Sequence, residues 1–281
     1  MTRRDLVALM VGHDVEEHPD HASLAAGETA LSVRNLTVRD SGQGRPAVDD
    51  VSFDVAHGEL LVLTGLIGAG CSEVLRAIWG GLPGRTAGEI RIDGLPVRIA
   101  NPRQAMAHGL GYVPGDRKEE GLILSMSAAH NLTLAVLRRL SRWLAIDEGR
   151  EAGIVDRLFG RLRVRAAHPG VIVGTLSGGN QQKIAIGKWL ATSPEVLLLD
   201  QPTRGIDIGA RAEIYALLRE LAEQGMAVVV AAADLTEALG LGDRIIVMGG
   251  GRIAGELARG EATQDRIIAL ASEEPARAGE E

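Results

Sequence analysis

Three short segments carry residues able to act on a phosphate-bearing ligand. Gly65 to Ser72 reads GLIGAGCS: Gly65, Gly70 and Ser72 fit the phosphate-loop pattern GxxxxGKS/T, and Leu66, Ile67, Gly68 and Ala69 fill its middle. Glycines at that spacing let backbone N–H groups close on phosphate oxygens at the N-terminus of a following helix, where the dipole favours anions. The position at which lysine would neutralise the outer phosphates holds Cys71. Asp200 closes the apolar run EVLLLD, and an aspartate at the tip of a buried strand can orient Mg2+ opposite a phosphate loop. Ser72 and Asp200 are therefore the candidate metal-binding pair. The third segment, Leu176 to Lys183, reads LSGGNQQK. Ser177, Gly178 and Gly179 stand where a helix begins, so a hydroxyl and open backbone donors would face an anion from a second direction. Each segment also has a plain reading in isolation: a tight strand-to-helix turn, a strand-end turn cap, and a serine helix cap. Their order and spacing along one chain argue against coincidence.

The elements around these segments read as a layered α/β fold. LSVRNLTVR from Leu31 and VDDVSFDV around Phe53 alternate apolar and polar residues as half-buried strands do, which predicts an antiparallel layer. ELLVLTG followed by GLIGAGCSEVLRAIWG is a buried strand, a glycine turn and a helix in order. A strand pair is expected around GEIRIDGLPVRI, and helices from Met126 to about Arg165, with AAHNLTLAVLRRLSRWLA as the clearest stretch. Beyond it EVLLLD, ARAEIYALLRELAEQG, MAVVVAAA, LTEALGLG and DRIIVMGGGRIAGEL alternate strand and helix, implying a mainly parallel sheet covered by helices. Residues 3 to 12 could form a short helix ahead of a polar, acidic linker to residue 29.

Composition narrows the function. With 281 residues and 46% hydrophobic content the chain can bury a sizeable core. Its apolar runs, such as Met226 to Ala233, fall short of the ~20 residues a bilayer span needs, so membrane contact is expected through a partner. The N-terminal apolar stretch is short and Asp14, Glu16 and Glu17 follow it, so no signal peptide is expected. A net charge of -7 without a basic stripe among the two Tyr, two Phe and three Trp speaks against a nucleic-acid partner. Cys71 is the single cysteine, which excludes an internal disulfide and a multi-cysteine metal site.

Together the three segments resemble the ATPase domains of ABC transporters, a P-loop NTPase fold, from about Leu31 to Leu270. LSGGNQQK is similar to the family signature, LLLDQPTRGIDIGA to its Walker B strand and D-loop with Asp207 as the D-loop acid, and DRIIVMGGGRIAGEL to the strands that close the core. More narrowly, GLIGAG, DRKEEGL at Asp116 to Leu122, LSGGNQQK and PTRGIDIGA resemble the second half of the tandem ATPases of ribose, xylose or galactose-type importers, while TRRDLVALMVGHDVEE resembles the tail of a first half. The resemblance implies an ATPase domain over residues 30 to 272 with a helical subdomain at about 124 to 180, a preceding helix remnant and linker, and a disordered tail from 273. It implies a chain encoded apart from its mate or cut from a longer gene. It further implies ATP with Mg2+ as ligands, a second ATPase half and transmembrane permease subunits as partners, a substrate-binding protein as an indirect one, and a peripheral place on the cytoplasmic face of the membrane.

In this family each ATP lies between the phosphate loop of one domain and the signature of another, so the resemblance assigns the chain two roles. For its own ATP the family wants Lys where Cys71 stands, Glu where Gln201 stands and His where Ala233 stands. Gln or Glu is also expected near Gly115, and no aromatic residue lies near Val38 to Asp40 to stack on adenine. Loss of a charge-assisted hydrogen bond to phosphate costs roughly 1.5 to 3 kcal/mol, which binding can survive. Loss of a positioned general base removes about a hundred- to ten-thousand-fold of rate, which hydrolysis does not survive. For a partner's ATP, Leu176, Ser177, Gly178, Gly179, Asn180 and Gln181 are all in place. The expectation is a transport ATPase half whose own site is degenerate. The alternative is a non-hydrolysing pseudo-ATPase acting as scaffold or regulator.

Overall fold

The computed structural model describes residues 27–39, 46–82, 85–142 and 145–272. The expected helix at residues 3 to 12, most of the linker, Asp40 and the tail from 273 lie outside the described residues. The strands are β1 (Thr29–Val38), β2 (Val48–Ala56), β3 (Leu60–Gly65), β4 (Thr86–Ile92), β5 (Leu95–Val97), β6 (Leu110–Val113), β7 (Ser141–Arg142), β8 (Ala145–Ile146), β9 (Val196–Asp200), β10 (Ala227–Ala231), β11 (Arg244–Gly249) and β12 (Arg252–Ala258). The α-helices are α1 (Cys71–Ile78), α2 (Pro102–Ala107), α3 (Ala128–Thr133), α4 (Leu137–Leu140), α5 (Glu148–Arg161), α6 (Gly178–Leu190), α7 (Ile208–Glu223), α8 (Leu235–Leu241) and α9 (Gln264–Ser272).

The central sheet has the order β12-β11-β3-β10-β9-β6, and every neighbouring pair is parallel except β11 with β12. Strands β9 and β10, VLLLD and AVVVA, are buried along their whole length, as a parallel strand covered on both faces must be. Along β3 the side chains alternate: Leu60 and Val62 join a core shared with α6 and α7, whereas Leu61 and Leu63 join a core shared with α1 and the second sheet. That second sheet, order β2-β1-β4-β5, is antiparallel throughout, as the alternating runs predict. Among the described residues no helix is long and apolar enough to cross a membrane.

One local reading is refined and one strand carries no signal in the sequence. AAHNLTLAVLRRLSRWLA is not one helix: α3 passes through a tight turn at Leu134–Val136 into α4, and the chain then folds back as the short antiparallel pair β7 and β8. The hydroxyl of Ser141 donates to the Leu137 carbonyl at 2.7 Å where α4 ends, and Asp147 accepts from the Arg150 N–H at 3.0 Å to begin α5, so local polar side chains break the apolar helical pattern. The strand without a signal is β6, which supplies an edge of the central sheet with only four residues, LGYV, too few for a periodic pattern. It leads through Pro114 into a single π-helical turn at Arg117–Gly121, inside the DRKEEGL segment.

Candidate functional site

Strand β3 and helix α1 hold the first turn. Gly65 closes against the Met248 carbonyl of β11, so closely that any side chain there would collide with it. Gly70 precedes α1 at φ 99°, and a Cβ on it would stand 2.5 Å from the Ala47 carbonyl oxygen. Only glycine fits both demands. Leu66, Ile67 and Gly68 are exposed at the crest of the turn while Ala69 is buried beneath it. No side chain caps α1, which leaves its first-turn N–H groups open toward the turn. Cys71 begins the helix half-buried, and burial followed by the neighbouring Glu73 carboxylate pushes its thiol up to about 12. The thiolate that a helix N-terminus can favour is therefore absent, and the position carries a neutral, weakly polar group.

Ser72 and Asp200 come together as expected: the hydroxyl donates to Asp200 Oδ1 at 2.7 Å. Asp200 is buried at the end of β9, and burial raises its pKa against the opposing effect of the Ser72 hydrogen bond. Tyr112 of β6, unnoticed in the sequence, brings its hydroxyl within 3.5 Å of Asp200 Oδ2, and burial together with the Asp200 charge raises the phenol pKa. A Cβ at Gly115 would lie 3.4 Å from Asp200 Oδ2, so the glycine leaves that side of the carboxylate bare. A hydroxyl and one carboxylate suit a hard cation that takes its remaining oxygens from phosphate and water. Among the described residues no cluster of three or more His, Cys, Asp or Glu could hold a metal without such help.

Gln201 follows Asp200 at φ 45°, a left-handed conformation unusual for a residue with a side chain, and its N–H donates to the Ala231 carbonyl at 2.8 Å. Its neutral amide stands next to Asp200 with no basic character. Ala233 lies exposed just past β10 and presents only a methyl group. The chain thus brings together a phosphate-sized turn, a hydroxyl and a carboxylate, without a cation or a base at the three diagnostic positions.

The signature turn is built differently. Ser177 is exposed at the N-cap of α6 and its Oγ accepts from the side-chain amide of Asn180 at 3.0 Å. Gln181 is buried and its amide donates to the Leu176 carbonyl at 3.0 Å, which fixes the residue before the cap. Gly179 packs directly on Ala210 of α7, too closely for any side chain, and Asp207 caps α7 by accepting from the Ala210 N–H at 2.9 Å. The starts of α6 and α7, and with them Ser177 and Asp207, therefore border one cavity of about 890 Å³, together with Asn180, Lys183 and Glu213. The sequence reading missed two further groups here. Arg117 of the π-helical turn is buried and donates to the carbonyls of Arg204 at 2.6 Å and Gly205 at 3.0 Å. Glu237 of α8 is buried, accepts from the Thr203 hydroxyl at 2.7 Å, and is pushed up to about 7 by burial.

The family model described as ABC transporter matches residues 48–204, more than half of the chain. The chain belongs to the ABC transporter family. Its matches among curated proteins include the xylose import ATP-binding protein XylG of Ralstonia nicotianae, 40% identical over 95% of this chain and 52% of that protein. They also include the ribose import ATP-binding protein RbsA 2 of Streptomyces coelicolor, 46% identical over 95% of this chain and 50% of that protein. The chain spans about half the length of the curated relatives it matches. Among solved structures, a nucleotide-free ATP-binding cassette from an ABC transporter superposes with a TM-score of 0.73 at 21% identity, covering 87% of this chain and 96% of that one. A dimeric ATP-binding cassette in a post-hydrolysis state bound to ADP and Pi superposes with a TM-score of 0.67 at 27% identity, over 82% of this chain and 98% of that one. The ABC fold accounts for the paired sheets, the phosphate-loop turn and the signature helix observed here.

Proposed function

We propose that this ABC domain is one ATP-binding half of an importer for simple sugars, and that it works mainly for a partner half. It resembles the second half of such tandem ATPases, and it would present Leu176 to Gln181 to ATP held by the other. Support for the asymmetry comes from one contrast. The signature turn keeps Ser177 exposed and its neighbours hydrogen-bonded in place, while the chain's own turn carries a neutral thiol at Cys71, an amide at Gln201 and a methyl at Ala233. Sugar import rests on the xylose and ribose relatives, because an ATPase domain does not itself touch the transported molecule.

Within its own site, Gly65 to Ser72 would hold the phosphates of ATP through backbone N–H groups, and Ser72 with Asp200 would hold Mg2+. Bound Mg2+ would offset phosphate charge. Cys71 does not supply the lysine charge, and Gln201 cannot take a proton from attacking water, so binding there is weak or static and hydrolysis very weak or absent. Toward the partner's ATP, Ser177 retains a free O–H to donate, because its Oγ only accepts from Asn180, and α6 adds open N–H groups at its positive end. The other partners would be transmembrane permease subunits, with a substrate-binding protein acting through them, on the cytoplasmic face of the membrane.

The test is ATP hydrolysis by a complex of this full chain with the half of the Ralstonia nicotianae xylose import protein that it does not match. The unaltered chain should stimulate hydrolysis by that half, and Ser177→Arg should abolish the stimulation. Equal stimulation by both chains, or by neither, overturns the reading. A second reading, a non-hydrolysing scaffold or regulator, is favoured by the same neutral groups at Cys71 and Gln201, and predicts no stimulation from either chain.

A further inference from the structure

The DRKEEGL segment marks the sugar-importer resemblance, yet neither the phosphate loop nor the signature accounts for it. Folded, it becomes the π-helical turn Arg117–Gly121, capped by Asp116, and it touches three separate parts of the domain. Glu120 pairs with Arg76 of α1 at 3.0 Å. The Gly121 carbonyl accepts from the buried Lys188 of α6 at 2.6 Å. Arg117 reaches furthest, into the gap between the signature turn and the loop that leads to Asp207. There its guanidinium donates to the Arg204 and Gly205 carbonyls and lies within 3.5 Å of Gln181 Oε1.

That guanidinium packs directly against a residue of the signature. A Cβ placed on Gly178 would stand 2.9 Å from Arg117 Nη2 and 3.2 Å from the Gly205 carbonyl oxygen. A side chain at 178 would press on the arginine head group and on that carbonyl, so either would have to shift to admit it. Arg117 therefore forms the floor beneath the first residue of α6, and it fastens that floor to the loop before the D-loop acid.

The partners of Arg117 are as informative as its place. Among the described residues, every acceptor it uses is a carbonyl or an amide oxygen, and no carboxylate forms an ion pair with it. The adjacent Asp116 is exposed, and its carboxylate is engaged by the N–H groups of Lys118 and Glu119. Burial lowers the Arg117 pKa from the usual arginine value against the opposing charge of the neighbouring Asp116, yet arginine stays charged at any physiological pH. A buried cation whose neighbouring carboxylate is the exposed, backbone-bonded Asp116 can still attract a further negative charge. The start of α6 at Ser177 and Gly178 lies against its head group.

We propose that Arg117 is a positioning and charge-supplying residue of the signature site: from beneath Gly178 it sets the turn and lends its positive charge to the triphosphate that a partner half presents to Ser177. This rests on the proposed function above, in which the signature serves a partner's ATP. The fork of Arg117 supplies geometry through the carbonyls of Arg204 and Gly205, and its charge supplies long-range attraction in a poorly solvated place.

The test uses the same complex with the full chain, measuring KM for ATP and kcat separately over a range of ionic strength. Arg117→Met removes the charge, and KM should rise about tenfold, as expected for a lost partly buried charge at a helix terminus, with a flatter salt dependence. Arg117→Lys keeps the charge without the fork, should fold even where the methionine variant does not, and should hold KM within about threefold of the unaltered chain while lowering kcat. An unchanged KM in Arg117→Met overturns the proposal, as does a lysine variant whose KM equals that of a folded methionine variant or, where that variant does not fold, rises tenfold. Ser177→Arg separates the two claims. If it abolishes stimulation while the Arg117 variants leave KM unchanged, only the role of Arg117 fails. If it leaves stimulation intact, the partner-serving reading fails and this inference with it.

Discussion

The phosphate loop and the signature turn are variants of one device, a glycine-bearing turn that opens a helix: α1 after Gly70 and α6 after Ser177. They differ in what survives beyond the backbone. At the loop the shape is held by Gly65 against Met248 and by Gly70 against Ala47, while positions 71, 201 and 233 carry no charge, base or imidazole. At the signature the side chains themselves are tied down, Asn180 to Ser177, Gln181 to Leu176, and Gly178 over Arg117. Demands on the loop glycines come from the chain's own packing and persist whatever binds there. Demands on a lysine or a glutamate come only from the ligand, so a loop can keep its form after its reactive groups are gone.

If that contrast is right, chemistry can be put back into the loop without rebuilding it. The largest effect belongs to Cys71→Lys, Gln201→Glu and Ala233→His made together. Hydrolysis at this chain's own site, measured as phosphate release with the partner's site silenced, should rise about a hundred- to ten-thousand-fold. Each single change should give far less, because the three groups would act as a unit. No gain from the triple variant would mean that the loop backbone is also unsuited to ATP. A smaller effect is expected for Cys71→Lys alone: titration of the chain with ATP and Mg2+ should show affinity increased roughly ten- to a hundredfold. Unchanged affinity would place position 71 away from the phosphates.

The smallest effect concerns the link between the two regions. Thr203 lies between Asp200 and Asp207 and is held by Glu237, whose carboxyl is raised by burial from 4.5 to about 7. A folded-state pKa above the unfolded one means that the neutral acid is the form suited to the fold. The stability it contributes is complete below about 4.5 and is lost as pH rises through about 7, at most on the order of 3 kcal/mol. Glu237→Gln keeps the acceptor for Thr203 and removes the ionisation, so its Tm should exceed that of the unaltered chain at pH 8 and differ little at pH 4. An equal shift at both pH values would show that burial of the charge is not the cause.

Much of the fold was legible because its signals are local and long. Strand β3 with its glycine turn, the apolar runs of β9 and β10, and the alternation in β1 and β2 each follow from the burial their sequences demand. Strand β6 escaped because four residues carry no period, and with it went Tyr112 and its approach to Asp200. The helical region expected from Met126 is broken into short pieces where Ser141 and Asp147 bind the local backbone, a polar interruption that an apolar pattern hides. At the candidate site, the approach of Ser72 to Asp200 was readable from motif order. Arg117 and Glu237 were not, since their partners are backbone carbonyls and a threonine hydroxyl far along the chain. Only DRKEEGL hinted at Arg117, and as a marker of kinship rather than of contact.

The collision awaiting any side chain at Gly65 bears on how such sequences should be searched. A pattern that scores glycines heavily will find every domain folded this way, including those that no longer turn over nucleotide, because the Met248 carbonyl enforces the glycine irrespective of activity. Position 71, only partly buried against the core, reports instead on the charge offered to a ligand.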